Sequence, residues 1–145
     1  ESPVRGIATS GWRGRSMSLG IADAVTVLAK SAADADVAAT LIANEVNVDF
    51  PGIEKRPASE VKDESDLGMI PVTVHVPDLP EDKISTALER GVNTARKFIK
   101  AGKITAAYLS LQKQTLVIDN NLAAVVNSCH SRESGNPETC KYLKK

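Results

Sequence analysis

Residues 81–118 read EDKISTALERGVNTARKFIKAGKITAAYLSLQKQTLVI, a long amphipathic segment followed by two short apolar ones. Asp78 and Glu81 form a D-x-x-E capping pattern around Pro80 at the start of the amphipathic segment, and Gly102 is placed to end it. The spacing between these signals predicts one long helix that lies on a sheet. Its apolar face is formed by Ile84, Ala87, Leu88, Val92, Ala95, Phe98 and Ile99.

The residues on either side of this helix have the patterns of strands. Ile104–Leu111 and Thr115–Ile118 read as the two strands of a hairpin, although the turn between them contains no glycine. Before the helix, residues 72–76 alternate valine with Thr73 and His75, which is the period of a half-buried strand. We therefore expect a sheet whose neighbouring strands are antiparallel.

The N-terminal part of the chain adds two strands and a second helix. Val4–Ser10 and Ala22–Ala29 are predicted strands, the latter buried, and residues 33–46 have helical apolar spacing with Ser31 as the capping residue. Residues 48–70 show no clear period and are predicted to be loop or short irregular pieces. The expected fold class is α+β, a mostly antiparallel sheet with two helices packed on one face.

Composition excludes several classes of protein. The 145 residues carry 18 basic and 18 acidic side chains and only five aromatic ones, which gives no electrostatic or stacking surface for nucleic acid. No apolar stretch approaches the roughly 20 residues needed to cross a bilayer, so no membrane association is expected. Cys129 and Cys140 match neither a zinc spacing nor a disulfide framework, which favours a reduced, cytoplasmic setting.

The last segment of the chain differs from the rest. Residues 127–145 are polar, rich in turn formers and without period, and they resemble the product of a reading frame that runs into a dispersed repeat. We predict a domain over residues 1–126 and a disordered tail over 127–145 that is an accidental extension rather than an evolved part of the protein.

A polar loop follows the first predicted strand. Residues 8–16 read ATSGWRGRS, in which glycines let the backbone approach a ligand and arginines can fork onto phosphate or carboxylate oxygens. The alternative is a solvated turn whose arginines pair with surface carboxylates. Trp12 is interpreted either as a rim residue or as a residue packed in the core. The candidate ligand contacts are Thr9, Ser10, Gly11, Arg13, Arg15 and Ser16.

The second candidate site is a pair on the first predicted helix. Asp36 and Thr40 are four residues apart and therefore share a face, and their oxygens suit Mg²⁺ if ligand phosphates complete its coordination. The alternative is structural, with Asp36 favouring the helix start and Thr40 bonding back to a carbonyl. Asp23 lies in a buried strand and needs a partner such as Arg13 or Arg15. We assign His75 no role.

Three short stretches in order carry a family resemblance: Gly6–Gly11 (GIATSG), Ala22–Ala29 (ADAVTVLA) and Ala35–Thr40 (ADVAAT). Together they resemble the C-terminal half of the ApbE-like superfamily, whose best-known members are FAD:protein FMN transferases. Residues 65–68 (SDLG), the long helix and the hairpin also resemble an uncharacterised branch of that superfamily, so that the likeness extends through Ile118.

The resemblance implies a tunnelling-fold (T-fold) domain and a function. In the transferases the Asp and Thr of the third motif bind the metal, and they correspond to Asp36 and Thr40. The transferases also carry a longer His-x-x-Asp-Pro-x-Thr-Gly insertion between the first two motifs, where this chain has about ten residues. Only the C-terminal half of the superfamily is matched, so an open sheet edge is expected near Val4–Ser10, which a homo-oligomer would cover.

The resemblance therefore favours a flavin-nucleotide (FAD) or related phosphate-ligand site with Mg²⁺ as cofactor and FMN-transferase-like chemistry. The alternatives left open are a non-catalytic binding or interaction module and an inactive fragment of such a protein.

Overall fold

The structure is a computed structural model that describes residues 2–121 and 123–126. Its elements follow one another along the chain as β1 Gly6–Ser10, β2 Ala24–Ala29, α1 Ala32–Glu45, β3 Glu54–Pro57, α2 Ala58–Val61, β4 Pro71–His75, α3 Glu81–Lys100, β5 Ile104–Leu111, β6 Gln114–Asp119 and β7 Ala123–Val126. The predicted tail over residues 127–145 lies outside the described residues. No helix among the described residues is long and apolar enough to span a membrane.

The strands form a five-stranded sheet in the order β1-β2-β5-β6-β7 and a separate ribbon of β3 and β4, and every pair is antiparallel. Val25, Val27 and Ala29 are fully buried, whereas the residues that alternate with them remain partly exposed. One face of the sheet is therefore covered, and α1 and α3 cover it, since they pack on the sheet and on each other. The predicted α+β class is confirmed.

Helix α3 joins the sheet through the predicted face. Ile84 and Leu88 are at most 1% exposed, and each contributes about 1.5–3 kcal/mol through burial of its side chain. Gly102 ends the helix with a φ of 71°, and it allows the Lys103 N–H to donate to the Phe98 carbonyl at 2.9 Å. This 6→1 bond is the mark of a Schellman motif, and it explains why a glycine stands there.

The predicted cap of α3 is wrong, whereas the predicted cap of α1 is confirmed. Pro80, not Asp78, is the N-cap of α3, because the Leu79 N–H donates to Gln112 Oε1 at 3.0 Å and holds that residue outside the helix. In α1 the Ser31 hydroxyl accepts a hydrogen bond from the Asp34 N–H at 3.1 Å. The contact with Gln112 is non-local, so the local pattern around Pro80 could not reveal it.

The prediction of an irregular segment over residues 48–70 is also wrong in part, because β3 and the single turn α2 lie within it. The first three residues of β3 are exposed and its last is half-buried, so the segment carries no apolar period. Its strand forms by pairing with β4. The strand β4 was predicted, but Thr73 on its expected polar side is only 6% exposed.

Strand β1 lies at one edge of the five-stranded sheet, as expected for the Val4–Ser10 segment. Ile7, the second residue of this strand, is 66% exposed. The homo-oligomer that would cover this edge remains a prediction.

Candidate functional site

The candidate loop begins where β1 ends and returns the chain toward β2. The Trp12 N–H donates to the Ala22 carbonyl at 3.0 Å, and the Gly14 N–H donates to the Gly11 carbonyl at 3.1 Å, which closes a tight turn. A Cβ atom at Gly11 would collide with the Asp23 carbonyl oxygen, so only glycine lets the loop lie this close to the start of β2. The glycines therefore fix the loop against the sheet.

The predicted partner of Asp23 is found in this loop. Arg13 Nε lies 3.1 Å from Asp23 Oδ1, and the side chains are 64% and 20% exposed respectively. The other carboxylate oxygen, Asp23 Oδ2, accepts a hydrogen bond from the backbone N–H of Gln112 at 2.6 Å. The single carboxylate thus ties the loop to the turn between β5 and β6.

Gln112 is the residue in this region that sequence analysis missed. Its side-chain Nε2 donates to the Pro77 carbonyl at 2.7 Å, and its Oε1 accepts from the Leu79 N–H at 3.0 Å. Its backbone has a φ of 49°, a conformation that glycine usually supplies in a hairpin turn. The missing glycine was the available signal, because a non-glycine residue held in that conformation needs such contacts.

Trp12 is half-buried and packs against the core, while its ring also faces Arg13. The Arg13 guanidinium carbon lies 5.3 Å from the centroid of the indole ring, within the range of a cation–π contact. The indole Nε1–H is buried and has no hydrogen-bond partner among the described residues. Because buried donors are nearly always satisfied, an acceptor that reached this N–H would supply the partner that it lacks among the described residues.

Four candidate ligand contacts remain, of which two are hydrogen-bonded or buried within the protein and two are exposed to solvent. The Thr9 hydroxyl lies 2.7 Å from the hydroxyl of Thr26, and Ser10 is only 8% exposed. Arg15 and Ser16 are exposed, and within the described part of the chain their side chains have no hydrogen bond or ion pair. The loop therefore carries two arginines: Arg13 is paired with Asp23 and contacts the Trp12 ring, and Arg15 is exposed.

The second candidate site, Asp36 and Thr40, makes its hydrogen bond within α1 rather than with the loop. Both residues are exposed on α1, and the Thr40 hydroxyl donates to the Asp36 carbonyl at 3.0 Å, which is the structural alternative considered above. No hydrogen bond or ion pair joins Asp36 to the loop among the described residues. Those residues also contain no group of three or more histidine, cysteine, aspartate or glutamate side chains that could hold a metal ion.

Among the comparisons with known proteins, one family model matches this chain. Neither the curated proteins nor the solved structures contain a significant match to this chain. The model of the family described as AbpE bacteria matches residues 1–118, which include the loop, α1 and α3. The chain therefore belongs to the AbpE bacteria family.

Proposed function

We propose that this chain binds a phosphate-bearing small molecule at the Thr9–Ser16 loop, with a flavin nucleotide such as FAD as the leading example. The observation that carries the proposal is the buried Trp12 Nε1–H, which has no partner among the described residues and belongs to the indole ring that Arg13 contacts. A donor in that position is stabilised when it meets an acceptor, and a phosphate oxygen is a strong one.

The charges of the loop suit an anion. Arg13 and Arg15 contribute two positive charges and Asp23 removes one, so the loop keeps a net positive charge. Arg13 uses its Nε atom on Asp23, which leaves its two terminal nitrogens for a ligand, and Arg15 has its whole guanidinium fork available. The Ser16 hydroxyl adds a further donor at the exposed end of the loop.

Mg²⁺ is the second part of the proposal, with Asp36 and Thr40 as its protein ligands. The Asp36 carboxylate is exposed and makes no ion pair with another described residue, and the Thr40 oxygen keeps a lone pair while its hydrogen donates to the Asp36 carbonyl. Mg²⁺ in proteins is often held by one or two carboxylates together with waters and substrate phosphates. The two residues fit that kind of site, in which the bound ion would neutralise phosphate charge.

Binding without turnover is the second candidate function. The carboxylate that contacts the loop, Asp23, is engaged with Arg13 and with the Gln112 N–H, so it is held as a structural acceptor rather than as a free base. A transferase-like activity would release AMP from FAD in the presence of Mg²⁺, whereas a binding module would retain FAD unchanged. Chromatography of FAD after incubation with the protein separates the two functions.

The phosphate site is tested by comparing ligands and variants in fluorescence titrations. FAD and riboflavin share the ring system, but only FAD carries phosphates, so riboflavin should bind at least about tenfold more weakly. Arg15→Gln should weaken the binding of FAD by a similar factor and leave the binding of riboflavin unchanged. Arg96→Gln, on the exposed side of α3, is the matched control. Equal affinity for the two flavins would contradict the proposal.

The metal site needs its own variant. Mg²⁺ should tighten FAD binding to the wild-type chain but not to Asp36→Asn, and Glu45→Gln at the exposed end of α1 should behave as wild type. FAD binding that is indifferent to Mg²⁺ in all three proteins would remove the metal from the proposal and leave the phosphate loop standing.

A further inference from the structure

A pocket of about 480 Å³ lies beside β3, lined by residues 47–51, Ile53 and Lys55. We call it the β3 pocket. Its volume falls within the range of about 300–1,000 Å³ that is usual for small-molecule sites. None of the residues of the Thr9–Ser16 loop lines it, so it is a different site from the one proposed above.

Two opposite charges border the β3 pocket without neutralising each other directly. Lys55 Nζ donates to the Leu19 carbonyl at 2.7 Å, which uses one of its three hydrogens and fixes the ammonium group in place. Burial lowers the pKa of Lys55, and the nearby Asp49 carboxylate acts in the opposite direction. Lys55 and Asp49 nevertheless form no direct ion pair, so each keeps capacity for a ligand group of opposite charge.

The rest of the pocket is partly apolar. Val48 is 8% exposed and belongs to the core, and Phe50 and Ile53 are half-buried and pack against it. Asn47 accepts the Val48 N–H through Oδ1 at 3.0 Å, which leaves the two hydrogens of its amide nitrogen as donors. The lining therefore combines apolar side chains with polar and charged groups, which suits a ligand that has both kinds of surface.

A further polar group lies on the same side of the β3–β4 ribbon as Lys55. Thr73 is the cross-strand partner of Lys55, so the two side chains leave the ribbon on one face. The Thr73 hydroxyl is buried and has no hydrogen-bond partner among the described residues. This side of the ribbon therefore holds more hydrogen-bonding capacity than the described residues use.

We propose that the β3 pocket binds a small zwitterion with an apolar side chain, of the α-amino-acid class, whose carboxylate meets Lys55 and whose ammonium group meets Asp49. The apolar side chain lies against Phe50 and Val48. A ligand that carries both charges pairs with Lys55 and Asp49 at once, whereas a ligand with one charge leaves one of these two groups without an opposite charge from the ligand.

Three ligands of nearly the same size separate these contributions. L-phenylalanine carries both charges, 3-phenylpropionate lacks the ammonium group, and 2-phenylethylamine lacks the carboxylate. Each is titrated into the ¹⁵N-labelled full chain and followed by the amide chemical shifts. Dissociation constants in the millimolar range are expected for ligands of this size.

L-phenylalanine should shift the amides of residues 47–55 and bind about tenfold or more tightly than either analogue, because each analogue loses a charge-assisted contact. Lys55→Met should remove the preference over 2-phenylethylamine, which lacks only the carboxylate, and Asp49→Asn should remove the preference over 3-phenylpropionate, which lacks only the ammonium group. Lys62→Met and Asp63→Asn, both at exposed positions outside the pocket, are the controls. Asp49 is exposed, and no hydrogen bond of its side chain stabilises the described fold, so Asp49→Asn remains informative if Lys55→Met fails to fold.

Three outcomes would overturn the proposal. The first is an absence of shifts at residues 47–55 in the folded protein, and the second is shifts confined to the Thr9–Ser16 loop. The third is equal binding of all three ligands, which would show an apolar surface rather than a zwitterion site. Because FAD is absent from this experiment, its result does not depend on the function proposed for the loop.

Discussion

Replacement of Asp23 is expected to destabilise the fold far more than replacement of its ion-pair partner. The Gln112 N–H donates to this carboxylate at 2.6 Å, and a hydrogen bond to a charged group contributes about 1.5–3 kcal/mol. The ion pair with Arg13 contributes less than about 1 kcal/mol, because the Arg13 side chain is 64% exposed. Asp23→Ala should therefore lower the free energy of unfolding by about 3 kcal/mol.

Urea and thermal unfolding measure this difference directly. A loss of about 3 kcal/mol corresponds to a decrease in Tm of roughly 6–12 °C for a chain of this length. Arg13→Gln should cost less than about 1 kcal/mol, and Asp23→Asn should lie between the two because it keeps an acceptor oxygen but loses the charge. If Arg13→Gln costs as much as Asp23→Ala, the carboxylate acts through the ion pair and the reasoning from Gln112 is refuted.

Three further changes test the packing and the electrostatics. Gly91→Ala should lower the free energy of unfolding by about 1 kcal/mol in a urea melt. Its methyl group would overlap the side chains of Val46 and Leu109, and the cost of this overlap exceeds the gain in helix propensity. Gly102→Ala should cost about 1 kcal/mol because its φ is 71°, and a circular-dichroism melt with unchanged helix content would show it. Lys55 has a pKa below its ordinary 10.5 in the folded chain, so between the folded and unfolded values the unfolded chain binds more protons and stability rises with pH. Lys55→Met should lose that rise in urea unfolding across the alkaline range, and an equal rise in both proteins would contradict the assignment.

The parts of the fold that sequence predicted are those that local patterns specify. The face of α3, the cap at Ser31 and the stop at Gly102 each depend on residues within a few positions, and all three are confirmed. Strand β3 was missed because its side chains are largely exposed and its strand partner among the described residues is β4, which lies later in the chain. Pairing between distant segments leaves no periodicity in an exposed strand.

In the candidate site, too, local patterns predicted some contacts and left contacts between distant residues unpredicted. Asp23 was predicted to need a cationic partner, and Arg13 is that partner, although Asp23 lies directly before β2 rather than within it. The link from Asp23 to Gln112 spans 89 residues, so no spacing rule could have found it. Asp36 and Thr40 share an exposed face, as their spacing predicted. The same spacing also allows the Thr40 hydroxyl to donate to the Asp36 carbonyl, so the metal role stays a prediction.

The most direct test of the central claim is an isothermal titration of FAD into the wild-type chain and into Arg15→Gln, with Arg96→Gln as control. We expect FAD to bind equally well to the wild type and to the control, and at least about tenfold more weakly to Arg15→Gln. Identical affinity in all three proteins, or no heat of binding in any of them, would contradict a phosphate site at the Thr9–Ser16 loop.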